Sequence, residues 1–476
     1  MTTLLVLIPL LLAVAAYFLP SDRFRPWFLP VAGFTHLGLV LKVLVEDAPL
    51  PVGAWVGIDP LGRLILIVVS LLYCCCAVYG LGYLRFRLQW GNRVFVPCLL
   101  LFLAAMSLAA EARHLGLLWV AVEATTLASA PLIYYNRNRL SIEATWKYLL
   151  LCSVGIALAM LGILFVAYSG LPKEHISLQL DDLLAAAAHF SRPWLRAGFV
   201  FLLVGFGTKA GFAPLHTWKP DAYGEAPGMV GALLAGGLTS IAFLALMRVM
   251  QVMAAAGEAE VARQAFVAMG GLSLFFAAVF VIKQPDFKRL LAYSSVEHMG
   301  ILAIGIGIGG IATFGAMLHM VNNALTKGVL FLAAGNIHRR FGSKRRGEVA
   351  GAIAVLPISA SLFIAGFLAV TGSPPFGVFI SEFTILRGVF SAGHFSLGGY
   401  FLVMLSVIFV GMGSTVLAVT LGPPSELANK NEYQETLLTT GPPLVMLLLV
   451  LVLGLYLPEP VRKLVADAAG IVEVIR

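Results

Sequence analysis

An ionisable side chain in the middle of a long apolar run costs about 2.5–3.5 kcal/mol to insert into a bilayer, so each one calls for a chemical reason. Five stand in such runs: Glu123, Lys209, His319, Lys327 and Glu382. A desolvated lysine can release its proton near neutral pH, and a carboxylate brought close holds that proton on. A lysine and a glutamate of variable separation therefore make a proton switch. Glu123, in LWVAVEATTLAS, has no basic residue within ten positions after Arg113, and Lys209 in GFGTKAGFAP is its natural partner from another helix. A static ion pair that fixes helix packing is the alternative reading.

His319, Asn323 and Lys327 in MLHMVNNALTKGVLF recur at i, i+4 and i+8, which sets them on one helix face as a polar stripe. The stripe suits a proton wire, or interhelical hydrogen bonds that hold helices together. His298, in KRLLAYSSVEHMG, has a side chain whose ordinary pKa near 6.5 suits a relay. Lys147, four residues after Glu143, opens a predicted helix and is either a stepping stone inward or a snorkelling side chain. Lys42 and Glu46 close another and read as snorkelling.

No metal or cofactor site is expected. Cys74, Cys75, Cys76, Cys98 and Cys152 lie in apolar runs without a C-x-x-C pair or a histidine cluster. Gly305, Gly307, Gly309 and Gly310 lack the strand, lysine and hydroxyl of a phosphate loop.

The chain around these residues is 60% hydrophobic and 12% charged over 476 residues. Apolar stretches of spanning length fall at about 3–20, 27–46, 61–82, 93–110, 114–134, 142–169, 196–214, 228–253, 261–282, 289–308, 311–337, 350–390, 398–420 and 440–458. The expected fold is an all-α polytopic membrane protein of about fourteen transmembrane helices. Met1 to Pro20 has neither a basic leader nor a small-residue cleavage site and reads as the first of them.

Helix breakers interrupt helix 7 over Gly205–Pro214 and helix 12 over Thr371–Gly377, each beside one of the buried charges. Irregular backbone at membrane depth is tolerated where protein buries it or water lines it. The breaks are five helices apart, so helices 4–8 and 9–13 are expected to be two inverted five-helix repeats. The whole of 1–476 reads as a single membrane domain: peripheral helices 1–3 in 1–92, a first repeat in 93–253, a second in 261–420 and a final helix at 440–458. Basic residues crowd alternate loops, from Arg23 and Arg25 to Arg339, Arg340, Lys344, Arg345 and Arg346. The positive-inside rule places those loops in the cytoplasm and both termini outside. The formal charge of +8 then belongs to loops at a membrane surface, with no nucleic acid as partner.

Glu123, WKYLL at Trp146–Leu150, TKAGFAPLHTWKPDA around Lys209, KRLLAYSSVEHMG, the His319–Lys327 stripe and ISEF with Glu382 resemble one family along nearly the whole chain. It is that of the antiporter-like subunits of respiratory complex I, group 4 membrane-bound hydrogenases and Mrp-type sodium/proton antiporters. EATWKYLLLCSVGIALAM and the compact length are similar to the F-type subunit of hydrogenase-4. The resemblance implies that Glu123 and Lys209 form the ion pair of a first half-channel, that Lys327 is the central lysine and that Glu382 ends the second half-channel. It implies as partners other membrane subunits and a peripheral redox module in a bacterial or archaeal cell membrane, with protons, or alternatively sodium, as the ion. Relatives carry a further lysine in helix 8, where this chain has LAGGLTSIAF with Thr239 and Ser240, and often a histidine at Asn323. The central relay is then expected to lean on Lys327, His298, His319 and water. An Mrp-type sodium/proton exchanger and a purely structural subunit are the two other readings.

Overall fold

A computed structural model describes residues 2–46, 53–87, 90–170, 177–429 and 431–473. The described residues are helical throughout, without a strand; pairing is confined to the isolated bridges Val56–Ala112, His114–Gln179 and Asp286–Arg345.

Three helices open the chain, α1 (Thr2–Phe18), α2 (Phe28–Val45) and α3 (Pro60–Arg85). There follow α4 (Phe95–Glu111), α5 (Leu115–Ile133), α6 (Arg139–Ser169), α7 (Leu180–Ala186), α8 (Arg192–Ala210), α9 (Trp218–Glu225), α10 (Gly228–Ala232) and α11 (Thr239–Ala255). Then come α12 (Ala259–Val281), α13 (Phe287–Ile308), α14 (Ile311–Phe341), α15 (Ala352–Val355), α16 (Pro357–Val370), α17 (Gly377–Ser391) and α18 (Phe395–Thr420). The last two are α19 (Leu437–Leu455) and α20 (Glu459–Glu473). Nine of the described helices are long and apolar enough to cross a membrane.

The long helices start where polar side chains can satisfy the free N–H groups of a first turn. Asp59 accepts from Gly62 N at 2.8 Å ahead of Pro60. Asp286 accepts from Lys288 N and Arg289 N at the head of α13. Asn138 with Ser141, and Thr436 with Thr439, form reciprocal caps on α6 and α19.

Continuous burial of both faces separates the centre from the rim. The α10–α11 span is 100% buried and the α13 span 89%, whereas those of α6, α12, α18 and α19 are 39% buried and turn their remaining apolar faces outward. Between α6 and α8 the backbones touch at glycines: a Cβ on Gly205 would lie 2.6 Å from Ala159 N and Gly155 O. Such small-residue seams bring membrane helices together without an apolar driving force. Inside α10–α11, Leu233–Leu238 is a π-helical segment.

Three expectations about elements change. The apolar stretch 350–390 holds, besides its expected break, the separate short helix α15; the break expected over Gly205–Pro214 begins only at Gly211, since α8 runs on to Ala210; and beyond the stretch 440–458 lies α20. α20 buries Val465, Ala468, Ala469 and Val472 and presents charge on its other side. Its Glu473 Oε1 accepts from Gly310 N and from Thr313 Oγ1 at 2.6 Å, clasping the α13–α14 turn.

Arg248 on α11 reaches both carboxylate oxygens of Asp59, and Arg113 lies 3.5 Å from the same carboxylate. Arg248 is buried and its bonds among the described residues go to Asp59, so without that carboxylate it would be an uncompensated interior charge. Asp59→Ala is therefore expected to cost roughly 3–5 kcal/mol, read as a lower unfolding temperature of the solubilised protein, with Asp59→Asn losing less because the helix cap survives.

Candidate functional site

The first cluster joins α5, α6 and α8. Lys209 is the second-last residue of α8, fully buried, and its Nζ donates to Thr126 Oγ1 at 2.7 Å and to Tyr148 OH at 3.0 Å. Thr126 Oγ1 donates in turn to Glu123 Oε2 at 2.9 Å, and Ser153 Oγ donates to Glu123 Oε1 at 3.0 Å. The expected Glu123–Lys209 pair is thus joined through a hydroxyl, not by direct contact. A hydroxyl both accepts and donates. Transfer of a proton from the ammonium to Thr126 oxygen, with the threonine hydrogen passing to the carboxylate, leaves the threonine unchanged. Glu123 is half-buried and Ser153 exposed, so this end of the cluster opens at the side of the bundle.

Beyond Lys209 the helix stops. Gly211 takes φ +79°, and the chain crosses 211–217, with a cis Ala213–Pro214 bond, before α9 begins at Trp218. α9 carries a lysine that reading the sequence did not single out. Lys219 is fully buried, its side chain lies across Gly211 where a Cβ would collide with it, and its Nζ donates to Ser295 Oγ on α13 at 3.2 Å. Its signal in the sequence is the same as that of the others, a lysine next to a break in an apolar run. HTWKPDA looks like a polar connection, and the return of the chain into the interior is visible only in three dimensions.

Ser294, the neighbour of Ser295, serves the other side. Lys327 Nζ on α14 donates to Ser294 Oγ at 2.7 Å, and Ser294 Oγ donates to Glu297 Oε2 at 3.1 Å. Two consecutive serines on α13 therefore take one lysine each, from α9 and from α14. Lys327, Glu297, Ser294 and Ser295 are all buried.

Further along the stripe on α14, His319 Nε2 lies 2.9 Å from His298 Nδ1, and His319 Nδ1 lies 3.0 Å from Ser381 Oγ on α17. Glu382 follows Ser381; its carboxylate comes within 4.8 Å of ligand-type nitrogens of both histidines, packed against Gly372 in the second break, which holds the cis Pro374–Pro375 bond. Two histidines and a carboxylate in such a group are types that could hold a metal, though the imidazoles already bond to each other. Glu382 Oε1, His298 Nε2, Asn322 Oδ1 and Asn323 Oδ1 are buried without a protein partner among the described residues. Buried polar atoms of this kind are the usual partners of internal water.

Lys147 does not join the buried row. Its side chain is 46% exposed and held by Glu143 at 2.7 Å and Asp221 at 2.9 Å, the latter also bound by Arg289 at 2.8 Å. The two hydroxyls in place of the helix 8 lysine are committed to their own helix: Thr239 Oγ1 donates to Ala235 O and Ser240 Oγ to Gly236 O, each at 2.6 Å. They bond to carbonyls of the π segment.

The sequence matches a family model, NADH:quinone oxidoreductase/Mrp antiporter transmembrane, over residues 112–413. A hydrogenase-4 component F homolog of Methylacidiphilum infernorum is 33% identical over 382 residues, covering 78% of this chain and 80% of that protein. NADH-quinone oxidoreductase subunit N of Desulforudis audaxviator is 30% identical over 409 residues, covering 82% and 80%. Among solved structures, a chain of the Mrp complex from Dietzia sp. shares the fold with a TM-score of 0.86 at 21% identity, over 98% of this chain and 96% of that one.

Proposed function

Because the chain belongs to the NADH:quinone oxidoreductase/Mrp antiporter family and is an antiporter-like membrane subunit, we propose that it translocates protons through the row Glu123, Lys209, Lys219, Lys327, His298, His319 and Glu382. The observation that carries this reading is that three buried lysines each rest on a hydroxyl, Lys209 on Thr126, Lys219 on Ser295 and Lys327 on Ser294. An ammonium bonded to neutral hydroxyls, with no carboxylate in direct contact among the described residues, is the form from which desolvation most readily removes a proton. Protons move between lysines over water at the unpartnered atoms and leave by the two histidines and Glu382. Lys147, tied between Glu143 and Asp221, acts as a surface anchor for α6 and α9.

The same row supports fourteen membrane crossings. α4, α5, α6, α8–α9 and α10–α11 form one five-helix repeat, and α12, α13, α14, α16–α17 and α18 form the other. In each repeat the fourth member is broken by a short loop with a cis X–Pro bond beside an ionisable residue. An odd number of crossings inverts the second repeat, and the basic loops put both termini outside a bacterial or archaeal inner membrane. Carrying one charge against 100 mV takes about 2.3 kcal/mol. We assign that work to a redox module of a complex of the hydrogenase or NADH:quinone oxidoreductase kind. Sodium/proton exchange in an Mrp-type assembly is the second reading, favoured by the shared fold.

The test is uptake of protons, followed with a trapped pH dye, in vesicles that hold the complex. Lys209→Met is expected to lower uptake per assembled complex at least about tenfold; unchanged uptake would leave only the static role. Dependence of the signal on sodium would select the exchanger.

A further inference from the structure

At the basic end of the bundle a cavity of about 390 Å³ opens between the end of α3, the turn before α6, the start of α10 and the end of α14. Two guanidinium groups share one aromatic ring in its wall. Arg87 lies 5.1 Å from the centroids of both Tyr83 and Trp90, and Arg339 lies 5.3 Å from Tyr83 and 4.7 Å from Phe86 and Tyr433. Stacking of this sort holds a guanidinium in place while leaving its N–H edge free.

Neither arginine has a carboxylate within 4 Å among the described residues; Arg87 donates to the neutral Asn136 Oδ1 at 2.9 Å, and Arg339 Nη1 is buried without an acceptor. The lysine in the wall, Lys344, is already matched by Glu225 at 2.6 Å and Asp286 at 3.4 Å. Gly228 also lines the cavity and begins the continuous span Gly228–Ala255, whose N-terminus has no side-chain cap among the described residues. Two unmatched positive charges therefore converge with the uncapped start of a 28-residue span on one concave site.

We propose that this cavity binds a phosphate group, that of an anionic phospholipid. A phosphate offers paired oxygens to guanidinium forks and an anion to a helix N-terminus. A lipid is favoured over a free anion by the neighbourhood. Leu140 and Phe86 beside the cavity are exposed apolar side chains at the basic-loop end of the spans, where acyl chains meet headgroups. Occupation would tie α3, α6, α10 and α14 together, of which α14 also carries His319 and Lys327 of the proposed proton row, but the site stands independently of what that row transports.

Photoreactive phosphatidylglycerol in nanodiscs of phosphatidylcholine, carrying the purified complex, tests it. Labelling is expected at peptides bordering Arg87 and Asn138, reduced about fivefold or more in the Arg87→Gln, Arg339→Gln double variant. Arg87→Gln alone, at a half-buried position that leaves Arg339 among its rings, gives a second measure should the double variant fail to assemble. Equal labelling of the variants, or equal labelling by a photoreactive phosphatidylcholine, overturns the proposal. Competition by inorganic phosphate would keep the phosphate site but overturn its assignment to lipid.

Discussion

Lys219→Met is expected to lower proton uptake per assembled complex at least about tenfold, as severely as loss of Lys209, while complex yield stays near wild type. Methionine fills nearly the same volume across Gly211 and removes a buried ammonium whose hydrogen bond among the described residues is to Ser295. Burial of an unpaired charge is unfavourable, so a purely structural reading expects the variant to be at least as stable and as active as wild type. Lys219→Arg separates the two readings further. A guanidinium keeps the positive charge yet does not give up its proton at any accessible pH. A relay role is lost in both variants; a static charge is preserved by arginine. Retained transport in Lys219→Arg would sink the assignment of Lys219 to the path.

The second large effect is expected at Glu382. Glu382→Gln keeps size and shape beside Gly372 and His298 but removes the titrating group. Oε1 has no protein partner among the described residues, so the variant gives up no protein hydrogen bond at that atom. Transport should fall about tenfold or more while thermal stability holds or rises. A variant that loses both transport and thermal stability would mark Glu382 as a packing element. Pairing it with Glu123→Gln, which lies at the other end of the row, tells whether the two ends fail as one path: the double variant should be no worse than either single one.

Much of the row was legible because bilayer chemistry makes charges in apolar runs conspicuous. Glu123, Lys209, Lys327 and Glu382 could be found by position alone, and the second break, 371–376, lies where the sequence placed it, whereas the first, expected from Gly205, begins at 211 because α8 stays helical to Ala210. Contacts between helices were not legible. No spacing rule brings His298 to His319, or sets Ser294 and Ser295 between lysines from α9 and α14, because those distances depend on how helices cross. Lys219 escaped for a related reason: in HTWKPDA it stands among polar neighbours, and only the fold returns that segment to the interior. Lys147 shows the converse. A lysine one or two turns into a helix looks half-buried in sequence, yet its partners Glu143 and Asp221 keep it at the surface.

The π segment Leu233–Leu238 sets the rotational phase of the span that contains it. An α-helix advances about 100° per residue, and one extra residue in a turn shifts every later side chain by that angle. Gly228 packs against Phe331 O and Gly335 at one end, while Arg248, twenty residues on, faces Asp59 at the other. The offset introduced at 233–238, and held by the hydroxyls of Thr239 and Ser240 on Ala235 O and Gly236 O, lets one uninterrupted rod meet both partners. Deleting a single residue there would turn Arg248 away from Asp59 without disturbing either contact surface directly. The span thus acts as a fixed angular coupling between the two ends of the bundle.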